Sequence, residues 1–399
     1  MSQHINPALA ATDAPPVMEA RRWIEGASFP ADRPLLNLSQ AAPADPPPEP
    51  MLRAMAEIVL TDPAAHLYGP VLGLPELRDR VATDWSAAYG GDIHAGQVAI
   101  TSGCNEAFAA AIATLAAKGD NVILPTPFYF NHKMWLDMEG IGTRLLETGS
   151  DLLPDPDEAA ALIDPRTRAI VLVSPNNPGG VEYPAETLAA FRDLARARGL
   201  ALIVDETYRD FDARDGAPHA LFADPAWDDV LIQLYSFSKA YRLTGHRVGA
   251  ILAAPSRLRE VEKWLDTVTI CPNGIGQRAA LWGMENLRDW LAGERAEILA
   301  RRAAMRAGFA GLSEWRLQGC GAYFAYVAHP FDAASDTVCR KLVDRAALLT
   351  LPGTMFGPRR DAGGSGRAEA TLRIAFANAD TDGIAMLFDR LREVTRSGL

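Results

Sequence analysis

The chain has 399 residues, 48% of them hydrophobic and 22% charged, which is long enough for about two to three domains and apolar enough to bury a sizeable core. Its formal net charge of -11 excludes a global basic field for nucleic acid. Four cysteines, Cys104, Cys271, Cys320 and Cys339, with no C-x-x-C pair among them, exclude a disulfide framework, leave a zinc ribbon unsupported, and suggest reduced thiols.

Residues 1–50 are rich in proline and alanine and end in APADPPPEP, which reads as an arm without its own core. The first residues lack a basic stretch followed by an apolar run, so no signal peptide is expected and the cytoplasm is the expected location. Pro75–Tyr89 reads as a helix. Short apolar runs then alternate with helical patterns. Predicted strands are Gln97–Thr101, Asn121–Leu124, Ala169–Ser174, Leu200–Val204, Val230–Ser236 and Arg247–Ala253, with predicted helices at Asn105–Ala117 and Pro184–Arg198. Most of these strands are continuous apolar runs, as expected for strands buried on both faces. Val98–Ala117 contains Asn105 and Glu106 and follows a glycine turn, so it reads as strand and buried helix, not as a membrane span. The alternation predicts an α/β fold: a mostly parallel central sheet with helices on both faces, over about residues 51–285.

Near Gly274 the rhythm changes. A long helical stretch to about Leu312 is followed by a strand at Ala322–Ala328, a helix at Asp336–Arg345, a glycine-rich loop at Gly357–Gly366 and a strand at Thr371–Phe376. Fewer strands and more helix predict a smaller α+β domain over 286–399, joined by the arm. Ala362–Gly366 reads as a mobile insertion.

In open α/β sheets ligands sit beyond the C-terminal ends of the strands, so the residues there are the candidates. The first strand runs into Ser102-Gly103-Cys104-Asn105-Glu106, a glycine turn entering a helix. Free backbone N–H groups there suit a phosphate, although an ordinary capped helix has the same look. Ala169–Ser174 runs into Pro175-Asn176-Asn177-Pro178-Gly179-Gly180. A tight turn explains the prolines and glycines but not two adjacent amides. Leu200–Val204 ends on Asp205-Glu206-Thr207-Tyr208. A carboxylate there is costly unless paired, and a helix cap, a magnesium ligand or the partner of a cationic ring nitrogen would each explain it. Val230–Tyr235 runs into Ser236-Phe237-Ser238-Lys239, with Arg247 eight residues on. Only five of the 39 basic residues are lysines, so a lysine in this turn stands out from a surface charge.

In this order and spacing the segments SPNNPGG (174–180), IVDETY (203–208) and SFSKAYRLTGHRVG (236–249) resemble the class I/II aminotransferases, pyridoxal-phosphate enzymes of the aspartate aminotransferase fold, or fold type I. YGPVLGLPELR (68–78), TSGCNEAF (101–108) and TLRIAFAN (371–378) support the resemblance, which covers nearly the whole chain. It implies an L-amino acid donor, a 2-oxo acid acceptor, a two-step ping-pong cycle and a homodimer. It implies no nucleic acid, membrane or metal.

By the same resemblance, Lys239 is the lysine that forms the imine with the cofactor and later shuttles a proton. Asp205 is the partner of the pyridine nitrogen, and Tyr208 and Asn177 bond the ring's phenolic oxygen. The phosphate cup is Gly103, Cys104, Asn105, Ser236 and Arg247, with Ser238 second to them because its side chain is expected to face away. Tyr68 reaches the phosphate from the partner subunit. Tyr129 stacks on the ring, with Phe128 next to it as the other candidate. Arg373 takes the substrate α-carboxylate, beside Asn177 and Ala41. Two departures stand out: Ala41 or Ala42 stands where many relatives carry glycine, and Gly179 where they often carry threonine.

Three other readings compete. A carbon–sulfur β-lyase of the same fold shares the motif set. A regulatory protein without catalysis would need an added domain for which the arm has no room. A nucleotide-dependent enzyme would need G-x-G-x-x-G or a P-loop, and the chain has neither.

Overall fold

The computed structural model describes residues 4–399. Its centre is a seven-stranded sheet whose spatial order is Val98–Thr101, Gly249–Leu252, Leu231–Ser236, Ala201–Asp205, Thr167–Val173, Asn121–Thr126 and Gly142–Glu147. Every pairing is parallel except the two made by Gly249–Leu252. The interior strands are rich in Val, Ile, Leu and Ala and are buried along nearly all their length. Such residues suit strands covered on both faces, and helices cover both faces here. Pro75–Tyr89 and Ala185–Arg198 pack on one side; Cys104–Ala113 and Pro255–Val268 pack on the other.

A second sheet has four strands, in the order Leu351–Pro352, Thr371–Ala375, Phe324–Ala328 and Arg316–Gly321, all antiparallel. Arg288–Ala310, Ser335–Ala346 and Thr381–Ser397 pack around it. The predicted fold class therefore stands: a mostly parallel α/β sheet with a smaller α+β unit.

Besides three two-residue strands, two longer ones were not anticipated, for visible reasons. Gly142–Glu147 is an edge strand, GTRLLE, only half-buried and without a continuous apolar run. Arg316–Gly321 is RLQGCG, polar at one end and small at the other. The helix Thr381–Ser397 does carry a signal: Ile384, Leu387, Phe388, Leu391 and Val394 fall at helical spacing and all are buried.

The arm has more structure than its composition suggested. Pro16–Arg22 is helical, and Ala20 is fully buried against a cluster containing Phe130, Val343, Leu349 and Phe356. Leu36–Asn37 pairs in parallel with Leu348–Leu349, and Leu38 is enclosed in the core of the smaller unit. The glycine-rich loop is also tied down: Ser365 donates to Glu147 at 2.7 Å, and Arg367 donates to Thr148.

One buried cation fastens the arm. Arg390 Nη1 donates to the carbonyls of Pro34, Ala346 and Ala347 at 2.8, 3.2 and 2.9 Å. Arg390→Met keeps the apolar stem but leaves these acceptors without a donor, and should cost about 2–4 kcal/mol in urea unfolding. A loss below about 0.5 kcal/mol, the range of ordinary surface substitutions, would show that the clamp is dispensable.

Candidate active site

The C-terminal ends of the central strands converge on a cavity of about 390 Å³. Cys104 and Asn105 reach it from the first turn, Asn177 from the asparagine turn, Asp205 and Tyr208 from the next strand end, and Ser236 and Lys239 from the one after. Tyr129, Arg247, Ala41 and Arg373 complete it from outside those strand ends.

Asp205 closes its strand fully enclosed. Burial by itself pushes a carboxyl up. Here His132 Nε2, 3.3 Å away, and the backbone N–H of Thr207, at 2.9 Å, outweigh it, and the carboxyl sits below its ordinary value. His132 is held by its own packing, stacked on Phe108 at 3.9 Å between centroids and edge-on to Tyr129 at 5.0 Å. This histidine had no assigned place in the sequence reading. Its one local signal is its position one helical turn beyond Tyr129, and nothing in the spacing connects it to Asp205.

Lys239 sits in the short helix Phe237–Ala240, and its amine donates to Ala41 O at 2.8 Å. Burial, then the charges of Arg247 and Arg373, bring its pKa down to about 8. The Tyr208 ring lies 5.9 Å from the amine and packs edge-on against Tyr323 and Phe324.

Arg373 is 2% exposed at the middle of its strand. Its Nη1 donates to Asn177 Oδ1 at 2.9 Å, its Nη2 to the carbonyl of Ser39, and Phe324 and Phe356 flank the guanidinium. It has no carboxylate partner among the described residues, its Nε makes no hydrogen bond, and burial lowers its pKa to about 10. A guanidinium buried without an anion invites one.

Arg247 leans over the first turn, where its Nη2 approaches Ser102 O and its Nη1 approaches Ser238 Oγ at 3.4 Å. Gly103 makes this possible. Its φ is +91°, and a Cβ there would lie 2.2 Å from Arg247 Nη2. Ser238 therefore faces the cavity, contrary to expectation, and Ser236 Oγ accepts from the Ser238 N–H. Tyr129 lines the cavity with its hydroxyl near Asn105 and Asn131; Phe128 packs instead with the helical cluster outside it. Gly179 fits its turn closely, since a Cβ would meet Asn176 Oδ1 at 2.8 Å and Leu152 at 2.9 Å. A threonine there would require the Asn176 and Leu152 side chains to shift. Of the predicted residues, Gly103 lies beneath Arg247 and does not itself line the cavity, and Tyr68 lies apart from it. Tyr68 is 81% exposed.

The arrangement joins a cationic fork over a glycine turn, a buried anion at a strand end and an amine of lowered pKa. These fit a phosphate, a protonated ring nitrogen and an aldehyde carbon respectively, and a side chain at position 103 would close the phosphate cradle. Fold and site together define the class: a pyridoxal-phosphate enzyme of fold type I. The sequence matches the family described as "Aminotransferase class I and II" over residues 33–391, and the chain belongs to it.

Among its relatives, a valine–pyruvate aminotransferase of Mycobacterium tuberculosis is 32% identical over 357 residues, covering 87% of this chain and 88% of that protein. An aromatic aminotransferase of Arabidopsis thaliana is 29% identical, covering 87% of each chain. Among solved structures, the aspartate aminotransferase of Thermus thermophilus with maleate superposes with a TM-score of 0.87 at 21% identity, covering 98% of this chain and all of that one. The N-succinyldiaminopimelate aminotransferase of M. tuberculosis gives the same TM-score at 23% identity, covering 98% of this chain and all of that one. The chain is thus a pyridoxal-phosphate-dependent aminotransferase, moving an amino group between an amino acid and a 2-oxo acid. The named aminotransferases among its relatives do not favour the lyase alternative.

The lowered pKa of Lys239 has a direct readout in cofactor-free protein. The amine is protonated below about pH 8 and neutral above it, so its reductive methylation should rise with a midpoint near 8. A free lysine amine labelled alongside is the reference, with its ordinary value near 10.4. Mass spectrometry after pulse labelling resolves the Lys239 site, and a Lys239 midpoint at the free-amine value would contradict the electrostatics described.

Proposed function

We propose that Lys239, Asp205 and Tyr208 carry the chemistry of an amino-group transfer that proceeds in two half-reactions, with Arg373 holding the α-carboxylate of each substrate in turn. The observation that supports this most is the buried, unpaired Arg373 guanidinium beside the low-pKa Lys239 amine. Pyridoxal phosphate, when bound, supplies the electron sink for the pair left on the substrate α-carbon. The chain's residues do the rest. Arg247, Ser236, Ser238 and the N–H groups at Cys104 and Asn105 hold the phosphate at a helix start. Asp205, kept anionic by His132 and Thr207, holds a proton at the ring nitrogen. Tyr129 covers the ring face, while Tyr208 and the Asn177 amide bond the phenolic oxygen. Arg373 fixes the substrate by a bidentate pair. The neutral Lys239 amine would then remove the α-proton and return it two bonds away, on the carbon beyond the amino nitrogen.

The same reading places Tyr68 in a partner's site. Tyr68 and Leu67 are 81% and 68% exposed, and the Gly69 N–H reaches Cys271 Sγ at 3.4 Å. Val268 and Ile270 on that neighbouring segment are also exposed, so apolar surface collects there. A homodimer that covers it would bring Tyr68 to the other subunit's phosphate. Residues 51–285 would then form the large domain, with residues 1–50 and 286–399 forming the small one, in the cytoplasm. No described helix is long and apolar enough to cross a membrane.

Two measurements test these assignments. Borohydride should fix the cofactor covalently to Lys239 in the native protein, and Lys239→Ala should abolish that linkage. Retention of a reducible link in the variant would remove Lys239 from its role. Arg373→Ala should raise KM for amino acids about 10- to 100-fold, the scale of a lost charge-assisted hydrogen-bonded pair, while cofactor absorbance persists. An unchanged KM would take Arg373 out of the substrate site.

A further inference from the structure

A second cavity, of about 360 Å³, shares no lining residue with the active site. That volume is of the size that small-molecule sites take. Adjacent residues of the chain turn to opposite sides and so separate the two spaces. Ser236 lines the first cavity while Tyr235 and Phe237 line the second, and Tyr208 lines the first while Arg209 and Asp210 line the second. The helices Pro75–Tyr89 and Gly274–Asn286 and the start of Arg288–Ala310 supply the remaining wall.

Arg209 is the group that marks this cavity. Its guanidinium is clamped by stacking, 3.9 Å from the centroid of the Trp85 ring and 4.7 Å from that of Tyr89. It forms no ion pair and no side-chain hydrogen bond among the described residues, and its Nη1 is buried without a partner. The acids near it are engaged elsewhere. Tyr89 Oη donates to Glu206 at 2.9 Å, Gln233 also donates to it, and His219 Nε2 lies 3.2 Å away. Tyr235 Oη donates to Asp210 at 2.7 Å, and burial pushes the Asp210 carboxyl above its ordinary value. Of the other two arginines in the wall, Arg80 is spent on Asp84 at 2.9 Å and on the Met284 carbonyl at 2.9 Å. Arg288, exposed at the rim, has no side-chain partner among the described residues. Two guanidinium groups thus face one space with their donors unused.

We propose that this cavity is a ligand site, distinct from the active site, for a small aromatic monocarboxylate. The unspent fork of Arg209 takes the carboxylate, and Arg288 adds a second donor from the rim. The ring of the ligand lies against Phe237, Tyr241, Met284 and Leu291, which line the same space. Because Trp85 and Tyr89 already fix the guanidinium, little side-chain freedom is lost when it pairs. Asp84 and Asp210 in the wall repel a second negative charge, which selects a monoanion.

The test is calorimetric titration of the pyridoxal-phosphate-loaded protein with 2-naphthoate, and with neutral 2-naphthamide for comparison. Arg373 in the active site can also draw a carboxylate, so both titrations are repeated in Arg373→Ala, where binding at the second cavity should persist. In that background 2-naphthoate should bind about ten-fold or more tightly than the amide, and Arg209→Met, which keeps the apolar stem, should remove that advantage. Arg209→Lys keeps the charge without the fork, and Arg288→Ala changes only the exposed rim; each should weaken 2-naphthoate about three-fold, which preserves the test if Arg209→Met does not fold. Binding that vanishes in Arg373→Ala yet survives Arg209→Met would place the ligand in the active site and overturn the proposal. Equal affinity for the acid and the amide, or no binding of 2-naphthoate in Arg373→Ala, would overturn it as well.

Discussion

The site depends on an imbalance of charge. Four cations, Arg21, Lys239, Arg247 and Arg373, line the cavity with one carboxylate, Asp205, and that carboxylate is already held by His132 and Thr207. Burying a guanidinium without a counter-ion is unfavourable, and the structure lessens the cost only with neutral partners, the carbonyl of Ser39 and the amide oxygen of Asn177 for Arg373. Anions therefore bind where the fold has left room for them. Burial, and then the charges of Arg247 and Arg373, lower the Lys239 pKa, so the cluster that would draw anions would also favour a neutral amine.

The central sheet was legible in the sequence because its strands are apolar runs ended by chemically distinctive turns. The four strand-end segments around Gly103, Asn177, Asp205 and Lys239 do meet in one cavity, as the rule for open α/β sheets requires. What was not legible lies where local sequence is silent. His132 is joined to Asp205 only by tertiary packing. Ser238 turns inward because Arg247 reaches across to it. The edge strand Gly142–Glu147 carries no apolar run to announce it. Tyr68 cannot be read from one chain at all, since its surroundings in isolation are solvent. Gly179, a departure from the family pattern, sits where a side chain would press on those of Asn176 and Leu152.

The arm was the largest gap between composition and structure. Its prolines and alanines suggested a segment with no core, yet Leu38 and Ala20 are fully enclosed by other parts of the chain. The arm borrows its core. Its strand Leu36–Asn37 takes a partner from the smaller unit, while Pro16–Arg22 covers the cavity mouth. Asn177, Asp205 and Ser236 come to the cavity from strand ends, and the arm adds Gln40 and Ala41 from outside them.

The bond from Arg373 to Ser39 closes a loop of 334 residues, and Leu36 pairs with Leu348 across nearly as great a span. During synthesis the arm leaves the ribosome first and must wait for almost the whole remaining chain before its strand has a partner. The parallel sheet can assemble earlier, since its strands all lie within residues 98–252. The cavity is thus the last part of the molecule to acquire its walls. A chain broken off before its final strand would carry Lys239 and the Gly103 turn but lack Arg373, the buried cation of the same cavity.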